Sequence, residues 1–297
     1  MSVRLTIVNF LLRNTEKRAL ARAVNPLPIQ RRLELLTRLL FRPKRGTPIG
    51  REALAHGQAS VSALKIGNGD QGVLLYLHGG AYIFGSAKTH SRFAAKLAED
   101  NALTAYSVDY RLAPEHPFPA AFDDCLTAYQ ALLGRGLKNI IIAGDSAGGG
   151  LALALLHSIL AKGLHPPRAV IAFSPLTDQT MQSQSLKDNA QSEVMLPTKR
   201  MGEVRDMYIT EDFKNPLASP LFGDFKNAPP VFLSVGTTEI LRDDTLSMAA
   251  KLRAQNVPVT LEILEHAPHV WPFFHGRLPE ADATLKKVQT FLNHPSL

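Results

Sequence analysis

The chain has 297 residues, of which 45% are hydrophobic and 20% are charged. This composition is typical of one or two globular domains and excludes a disordered or fibrous protein. No run approaches the roughly 18 consecutive apolar residues of a transmembrane helix, so we expect no membrane span. The single cysteine, Cys125, has no partner for an internal disulfide, and its setting favours a helical core position over a reactive thiol.

The net charge of +7 is distributed unevenly along the chain. Residues 1–51, called the basic arm below, hold 12 Lys and Arg against two acidic residues, a net charge of +10, whereas the remainder carries −3. Because the body of the protein is mildly acidic, we expect no nucleic-acid partner.

The basic arm also contains apolar residues at helical spacing, namely Leu33, Leu35, Leu36, Leu39, Leu40 and Phe41. An arm of this kind either covers part of its own protein or lies on an anionic membrane surface. We favour the first alternative and expect no membrane contact.

The first apolar run does not have the form of an export signal. The run from Leu5 to Leu12 is interrupted by Asn9 and followed directly by Arg13. No small-residue cleavage site follows it. Together with the single cysteine, this pattern predicts a cytoplasmic protein.

Strands and helices alternate beyond residue 60. Short apolar runs predict strands over 72–77, 103–108, 139–143, 169–173, 231–235 and 259–264. Helical periodicity predicts helices over 92–100, 120–133, 148–161, 244–255 and 279–292. This alternation predicts one α/β domain with a mostly parallel central sheet and helices on both faces. Residues 177–227 contain no predicted strand, and loops of such length are usually functional insertions such as lids.

The segment Gly144-Asp145-Ser146-Ala147-Gly148 follows a predicted strand and opens a predicted helix. In this context G-x-S-x-G is typical of a nucleophile elbow, a strained turn that exposes a serine hydroxyl. Glycines on either side let the strand and the helix pack closely, and the helix N-terminus favours developing negative charge. Ser146 is therefore the predicted nucleophile, with a purely structural turn as the alternative.

A glycine pair follows the first predicted strand, in His78-Gly79-Gly80-Ala81-Tyr82. Glycines at such a place let backbone N–H groups converge on one point, as an oxyanion hole requires. We predict an oxyanion hole formed by the N–H groups of Gly79, Gly80 and Ala147. His78 is expected to orient the loop rather than to act as a base.

Three motifs together resemble the bacterial hormone-sensitive-lipase family of esterases. They are the loop at His78, the stretch 109–121 (DYRLAPEHPFPAA) and the elbow at Ser146. The resemblance covers about residues 70–295. It implies an α/β-hydrolase fold of about eight strands, spanning 1–297 as a single domain, with a helical cap built from about residues 1–50 and 177–227. One departure is Ala81, where the family commonly has a third glycine, but the backbone N–H is retained.

The resemblance also implies a Ser–acid–His triad, no cofactor, no metal and short-chain ester substrates. The acid falls in Gly236–Asp244 (GTTEILRDD), where Glu239 stands at a position that is usually aspartate in the family. Glutamate orients an imidazole as aspartate does, with a slightly longer reach. Glu239 is the predicted acid, with Asp243 and Asp244 as alternatives.

The predicted base is His269, because the third triad member follows the last strand. The segment EHAPHVW, residues 265–271, resembles the family's P-H-x-F segment, and this selects His269 over His266. The two histidines do not indicate a metal site, because no cysteine or acidic cluster completes one.

These assignments predict a carboxylic ester hydrolase, a serine carboxylesterase acting on short- to medium-chain acyl esters. Two alternatives remain: a membrane-peripheral lipase that docks through the basic arm and acts on longer chains, and a non-catalytic ligand-binding member of the same fold. The resemblance is also compatible with a homodimer. The motifs do not define the chain-length preference, which depends on the depth of the pocket under the cap.

Overall fold

The computed structural model describes residues 2–23, 26–40 and 46–293. In that part of the chain eight strands belong to one sheet: β1 (Ile49–His56), β2 (Ala59–Ile66), β3 (Val73–Leu77), β4 (Thr104–Val108), β5 (Ile140–Asp145), β6 (Ala169–Phe173), β7 (Val231–Gly236) and β8 (Val259–Leu264). The α-helices are α1 (Val3–Asn14), α2 (Glu16–Arg22), α3 (Pro26–Leu40), α4 (Ala87–Asp100), α5 (Ala120–Gly134), α6 (Ala147–Ala161), α7 (Ser185–Asp188), α8 (Met201–Tyr208), α9 (Arg242–Ala254) and α10 (Pro279–Leu292).

The sheet has the strand order β1-β2-β4-β3-β5-β6-β7-β8. Strands β3 to β8 run parallel to one another, whereas β1 pairs antiparallel with β2, and β2 antiparallel with β4. The mostly parallel sheet and the α/β class are therefore as predicted, and β3 to β8 coincide with the six predicted strands to within a few residues.

Helices cover both faces of the sheet because the central strands are apolar on both sides. In β3, Leu75 and Leu77 pack in a core with buried residues of α5, α6 and α9. Leu74 and Tyr76, which point to the opposite face, pack in a second core with buried residues of α4 and α10. Cys125 belongs to the first core, and burial raises the pKa of its thiol well above the usual range, as a packing role predicts.

The hairpin of β1 and β2 was not predicted from the sequence. Most side chains of β1 are exposed, so its sequence, IGREALAH, lacks the apolar run that marks the central strands. Helix α4 also begins five residues earlier than predicted. Ser86 caps it, and the Ser86 and Thr89 side chains bond each other's backbone N–H groups.

Within the described residues, the basic arm forms the helices α1, α2 and α3 and the first three residues of β1. Leu5 of α1 is fully buried in a small core with Ala267, Trp271 and Leu278, so α1 packs against the segment that follows β8. The helical spacing predicted from Leu33 onward corresponds to α3. Phe41 lies outside the described residues, as do the side chains of Leu36, Leu39 and Leu40.

The insertion of residues 177–227 contains α7, α8 and two short 3₁₀ segments, and it contains no strand, as predicted. Among the residues that the structure describes, no helix combines the length and the apolar character needed to cross a membrane.

Candidate active site

The predicted site residues follow neighbouring strands of the sheet. Strands β5, β6, β7 and β8 are adjacent and parallel, so their carboxyl ends lie along one edge, where α/β folds place their ligands. Ser146 follows β5 directly, Glu239 lies three residues after β7, and His269 lies five residues after β8. Ser174, for which the sequence predicted no role, follows β6.

Ser146 occupies a strained turn between β5 and α6. Its φ of 53° and ψ of −120° lie in a region that residues other than glycine rarely adopt. The surrounding backbone holds this conformation: the Ser146 N–H donates to the carbonyl of Phe173 (2.8 Å), and the Ser146 carbonyl accepts from the N–H groups of Gly150 and Leu176 (both 3.0 Å).

Two glycines make the turn sterically feasible. A Cβ at Gly144 would lie 2.2 Å from the carbonyl oxygen of Gly148, and a Cβ at Gly148 would lie 2.1 Å from that of Leu77. Any side chain at either position would force backbone apart, which is the reason that the predicted elbow needs both glycines.

His269 and Glu239 form a buried hydrogen-bonded pair. The Nδ1 of His269 lies 2.7 Å from Glu239 Oε2, and both side chains are almost fully buried. The other oxygen, Oε1, accepts from the Ser174 hydroxyl (2.8 Å) and from the Gly236 N–H (2.6 Å). The carboxylate is therefore fixed with one oxygen directed at the imidazole.

The surroundings of His269 favour its charged form. Burial by itself would lower the pKa of His269, but the hydrogen bond and negative charge of Glu239, with smaller contributions from Glu193 and Asp145, raise the pKa above its usual value. An imidazolium at this position is thus stabilised by the protein rather than by water.

The alternatives for the acid and the base have other partners. Asp243 Oδ2 accepts the N–H of Ser185 (2.8 Å), and Asp244 Oδ2 accepts the N–H of Thr177 (2.8 Å), so both carboxylates tie the insertion to the start of α9. Burial raises the pKa of Asp244 to about 6. His266 is exposed, whereas Glu239 is almost fully buried.

Ser174 connects the acid to the segment that carries the base. Its hydroxyl donates to Glu239 and accepts from the N–H of Val270 (3.2 Å). Both Ser174 (φ 46°) and Val270 (φ 53°) have left-handed backbone conformations, and such a conformation is a marked outlier for β-branched valine. Three residues at the site, Ser146, Ser174 and Val270, therefore have a positive φ.

A second buried carboxylate, Glu193, lies beside the pair and was missed by the sequence analysis. Its Oε1 accepts the N–H groups of Met195 (2.7 Å) and Leu196 (3.2 Å), and its Oε2 accepts the N–H of Ile240 (3.2 Å). Glu193 thus binds the insertion to the residue after Glu239. Burial, together with the charge of Glu239, raises the pKa of Glu193.

The structure corrects the oxyanion prediction for Gly79. The Gly79 N–H donates to Asp145 Oδ1 (2.9 Å), which also accepts the hydroxyl of Tyr76 (2.5 Å), so this N–H is not available to a ligand. In the part of the chain that the structure describes, no acceptor is bonded to the N–H of Gly80 or of Ala81. The N–H of Ala147, the first residue of α6, has no acceptor within the helix.

The side chain of His78 is buried at the start of the loop. Its ring stacks on Tyr110 (centroids 4.1 Å apart), and its Nδ1 lies 2.8 Å from the carbonyl of Gly79. The Tyr110 hydroxyl donates to the carbonyl of His78 (2.6 Å). Burial and the neighbouring His90 lower the pKa of His78 to about 4, so the ring is neutral at pH 7.

A cavity of about 140 Å³ lies over these groups. Ser146, Gly80, Ala81 and His269 contribute to its wall, and the remaining lining is mostly apolar. Residues of the basic arm and of the insertion line it as well, namely Glu16, Leu20, Ile29, Leu33, Met195 and Leu196. Within the described residues, no group of three or more His, Cys, Asp or Glu side chains is placed to hold a metal ion.

Comparison with known proteins agrees with the fold. A family model described as alpha/beta hydrolase fold matches residues 74–273. An acetyl-hydrolase of Streptomyces hygroscopicus is 33% identical over 83% of this chain and 83% of its own length. An esterase of Acinetobacter venetianus is 35% identical over 74% of each chain. The crystal structure of an esterase from the bacterial hormone-sensitive lipase family is 32% identical, covers 98% of both chains and has a TM-score of 0.90.

The chain therefore belongs to the bacterial hormone-sensitive-lipase family of α/β-hydrolase-fold proteins, as its motifs predicted. Family membership also confirms the predicted enzyme class, a carboxylic ester hydrolase.

The position of Glu193 predicts a specific pH dependence. If His269 is the base, activity is lost as pH falls through its pKa, because the protonated imidazole no longer accepts a proton. Glu193→Gln keeps an acceptor oxygen but removes one negative charge that raises that pKa. We expect the acidic limb of the kcat/KM profile for p-nitrophenyl butyrate to move to lower pH.

The matched control is Glu211→Gln, which neutralises an exposed glutamate of the same insertion and leaves the profile unchanged. An acidic limb that stays in place in Glu193→Gln, or moves to higher pH, contradicts the electrostatic role of Glu193.

Proposed function

We propose that this protein is a serine carboxylesterase that hydrolyses short- to medium-chain acyl esters through an acyl-enzyme intermediate. The observation that carries the proposal is the buried Glu239–His269 hydrogen bond of 2.7 Å beside a cavity that Ser146 and His269 both line. A nucleophile on an elbow, a base and a fixed carboxylate are the three groups of a hydrolase triad.

The acylation step uses these groups in sequence. Ser146 Oγ attacks the ester carbonyl carbon while His269 Nε2 takes the hydroxyl proton, and Glu239 holds the Nδ1–H tautomer and stabilises the imidazolium. The tetrahedral intermediate then collapses, its C–O bond to the alcohol breaks, and His269 returns the proton to the departing alkoxide. Water, deprotonated by His269, attacks the acyl-enzyme and releases the carboxylic acid and Ser146.

The oxyanion hole proposed for both steps consists of the N–H groups of Gly80, Ala81 and Ala147. Asp145 supports this assignment by engaging the Gly79 N–H, because that bond fixes the start of the loop and leaves the next two N–H groups for the substrate. Gly80 has a φ of +123°, and a Cβ there would lie 2.1 Å from the carbonyl oxygen of Phe84, so glycine is required at this position.

The apolar lining supports acyl esters as substrates. A second hollow of about 70 Å³ adjoins the first, and the two share Leu20, Ile29, Ala81, Phe84 and Leu196 in their walls. This continuation offers space for an acyl chain longer than acetyl, and the similarity to an acetyl-hydrolase supports the short end of the range.

We also propose that the basic arm and the insertion form the cap over this cavity, because residues of both line it. The cytoplasmic location and the homodimer stay predictions.

Hydrolysis of p-nitrophenyl esters from acetate to palmitate tests the activity. We expect a maximum at short to medium chains, and complete loss of turnover in Ser146→Ala because no other group replaces the nucleophile. A maximum at palmitate would favour the long-chain lipase alternative. Absence of Ser146-dependent hydrolysis at every chain length would contradict the proposal and favour a ligand-binding protein.

Amide substitutions distinguish Glu239 from Asp243 as the acid of the triad. Glu239→Gln should lower kcat on the order of 10³-fold or more, because an amide favours the wrong imidazole tautomer and does not stabilise the imidazolium. Asp243→Asn retains an acceptor for the Ser185 N–H and should keep most of the activity. Steady-state kinetics on p-nitrophenyl butyrate measure both, and the reverse ranking of the two variants is the result that overturns the assignment of Glu239.

A further inference from the structure

Helix α1 of the basic arm has apolar side chains on two opposite faces. Leu5 and Leu12 are buried against the protein. Successive residues of an α-helix are rotated by about 100° around its axis. By this rotation, four other large apolar side chains project on the outer side of α1, within an arc of about 100° around the helix axis. They form the exposed apolar face of α1, with exposed fractions of 77% for Val3, 53% for Ile7, 68% for Phe10 and 51% for Leu11.

This face is unusual within the molecule. None of the helices α4 to α10, whose side chains are all described, exposes a large hydrophobic residue. A helix that needs only to cover its own protein requires one apolar stripe, and the opposite side is normally polar. A contiguous apolar surface that faces water indicates a contact with a partner or with a lipid surface.

The charge around the exposed apolar face of α1 distinguishes between a partner and a lipid surface. Arg4 and Arg13 are exposed on opposite edges of the apolar face, and Arg18 and Arg22 of α2 are exposed as well. The basic arm carries +10 against −3 for the remainder of the chain. An apolar face bordered by arginine is the pattern of an interfacial helix on an anionic lipid surface. A second copy of the same face would bring two strongly basic arms together, which their mutual repulsion disfavours.

The contacts of α1 connect this face with the active site. The Asn9 side-chain amide donates to the carbonyl of His266 (2.8 Å), three residues before His269, and Arg13 donates to the carbonyl of Ser192, next to Glu193. A surface bound to the outer side of α1 would therefore lie against the part of the protein that holds the base and the insertion.

We propose that α1 docks the protein on anionic lipid surfaces, with Val3, Ile7, Phe10 and Leu11 among the acyl chains near the headgroups and the flanking arginines on the phosphates. The two alternatives for the arm then apply to opposite faces of one helix: the inner face covers the protein, and the outer face binds lipid. The proposal concerns binding and does not require that the lipid be hydrolysed.

Co-sedimentation with vesicles tests the proposal in a Ser146→Ala background, so that hydrolysis does not alter the lipid. The full chain should bind phosphatidylglycerol vesicles at low salt, bind less at high salt, and bind phosphatidylcholine vesicles weakly. The double variant Ile7→Ser/Phe10→Ser should bind weaker by a factor of about ten or more, because interfacial binding scales with the apolar area inserted. The control Phe222→Ser/Ile263→Ser, which removes exposed apolar side chains elsewhere, should bind like the parent.

Esterase activity and sedimentation velocity distinguish a loss of lipid binding from misfolding and from self-association. With Ser146 intact, Ile7→Ser/Phe10→Ser should hydrolyse p-nitrophenyl butyrate at the parent rate, which shows that the variant is folded. No binding to anionic vesicles at low salt, or equal binding by the α1 variant, overturns the proposal even if esterase activity is present. Self-association in sedimentation velocity that disappears in the α1 variant would also overturn it and assign the face to a second copy.

Discussion

The hydrogen bond between His269 Nδ1 and Glu239 Oε2 is the interaction on which the rest of the site depends. A carboxylate taken out of water is costly unless its oxygens are satisfied. Here Ser174 and Gly236 satisfy one oxygen and His269 the other. The same arrangement places Ser174 in a strained conformation, and its hydroxyl also holds the backbone beside His269. The strain is sustained by parallel strands whose carboxyl ends are fixed by the sheet.

Two further buried carboxylates perform different tasks at the same edge of the sheet. Asp145 immediately precedes the nucleophile, and its carboxylate accepts the N–H of Gly79. One side chain therefore positions the elbow relative to the oxyanion loop. Glu193 binds the insertion to the residue after Glu239 and adds negative charge near His269. Three carboxylates thus connect the nucleophile, the acid and the insertion, and each is satisfied by N–H or O–H donors.

The parts of the structure with a local sequence signal were predictable. The central strands were predicted from apolar runs, because both of their faces are buried, and Ser146 from a motif whose glycines are required by close backbone contacts. The choice of Glu239 and His269 came from family resemblance, and the structure places these two side chains in contact. The β1–β2 hairpin lacked a signal because its side chains are mostly exposed.

The remaining features depend on contacts between distant parts of the chain. Gly79 was predicted as an oxyanion donor, and its sequence could not show that Asp145, 66 residues away, already accepts its N–H. Ser174 bonds Glu239, which is 65 residues away in the sequence, and Glu193 bonds Ile240, which is 47 residues away. Neither Ser174 nor Glu193 belongs to a recognisable motif. Helix α1 escaped prediction because its apolar residues lie on two faces, so they show no single amphipathic stripe.

Trapping the nucleophile tests directly whether Ser146 is activated by His269 and Glu239. The protein is incubated with a p-nitrophenyl phosphonate ester, which phosphonylates an activated serine, and the modified peptide is identified by mass spectrometry. We predict a single adduct on Ser146 that forms more slowly as pH falls below the pKa of His269, and that is absent from Ser146→Ala. An adduct on another residue, or a rate of Ser146 modification that Glu239→Gln leaves unchanged, would contradict it.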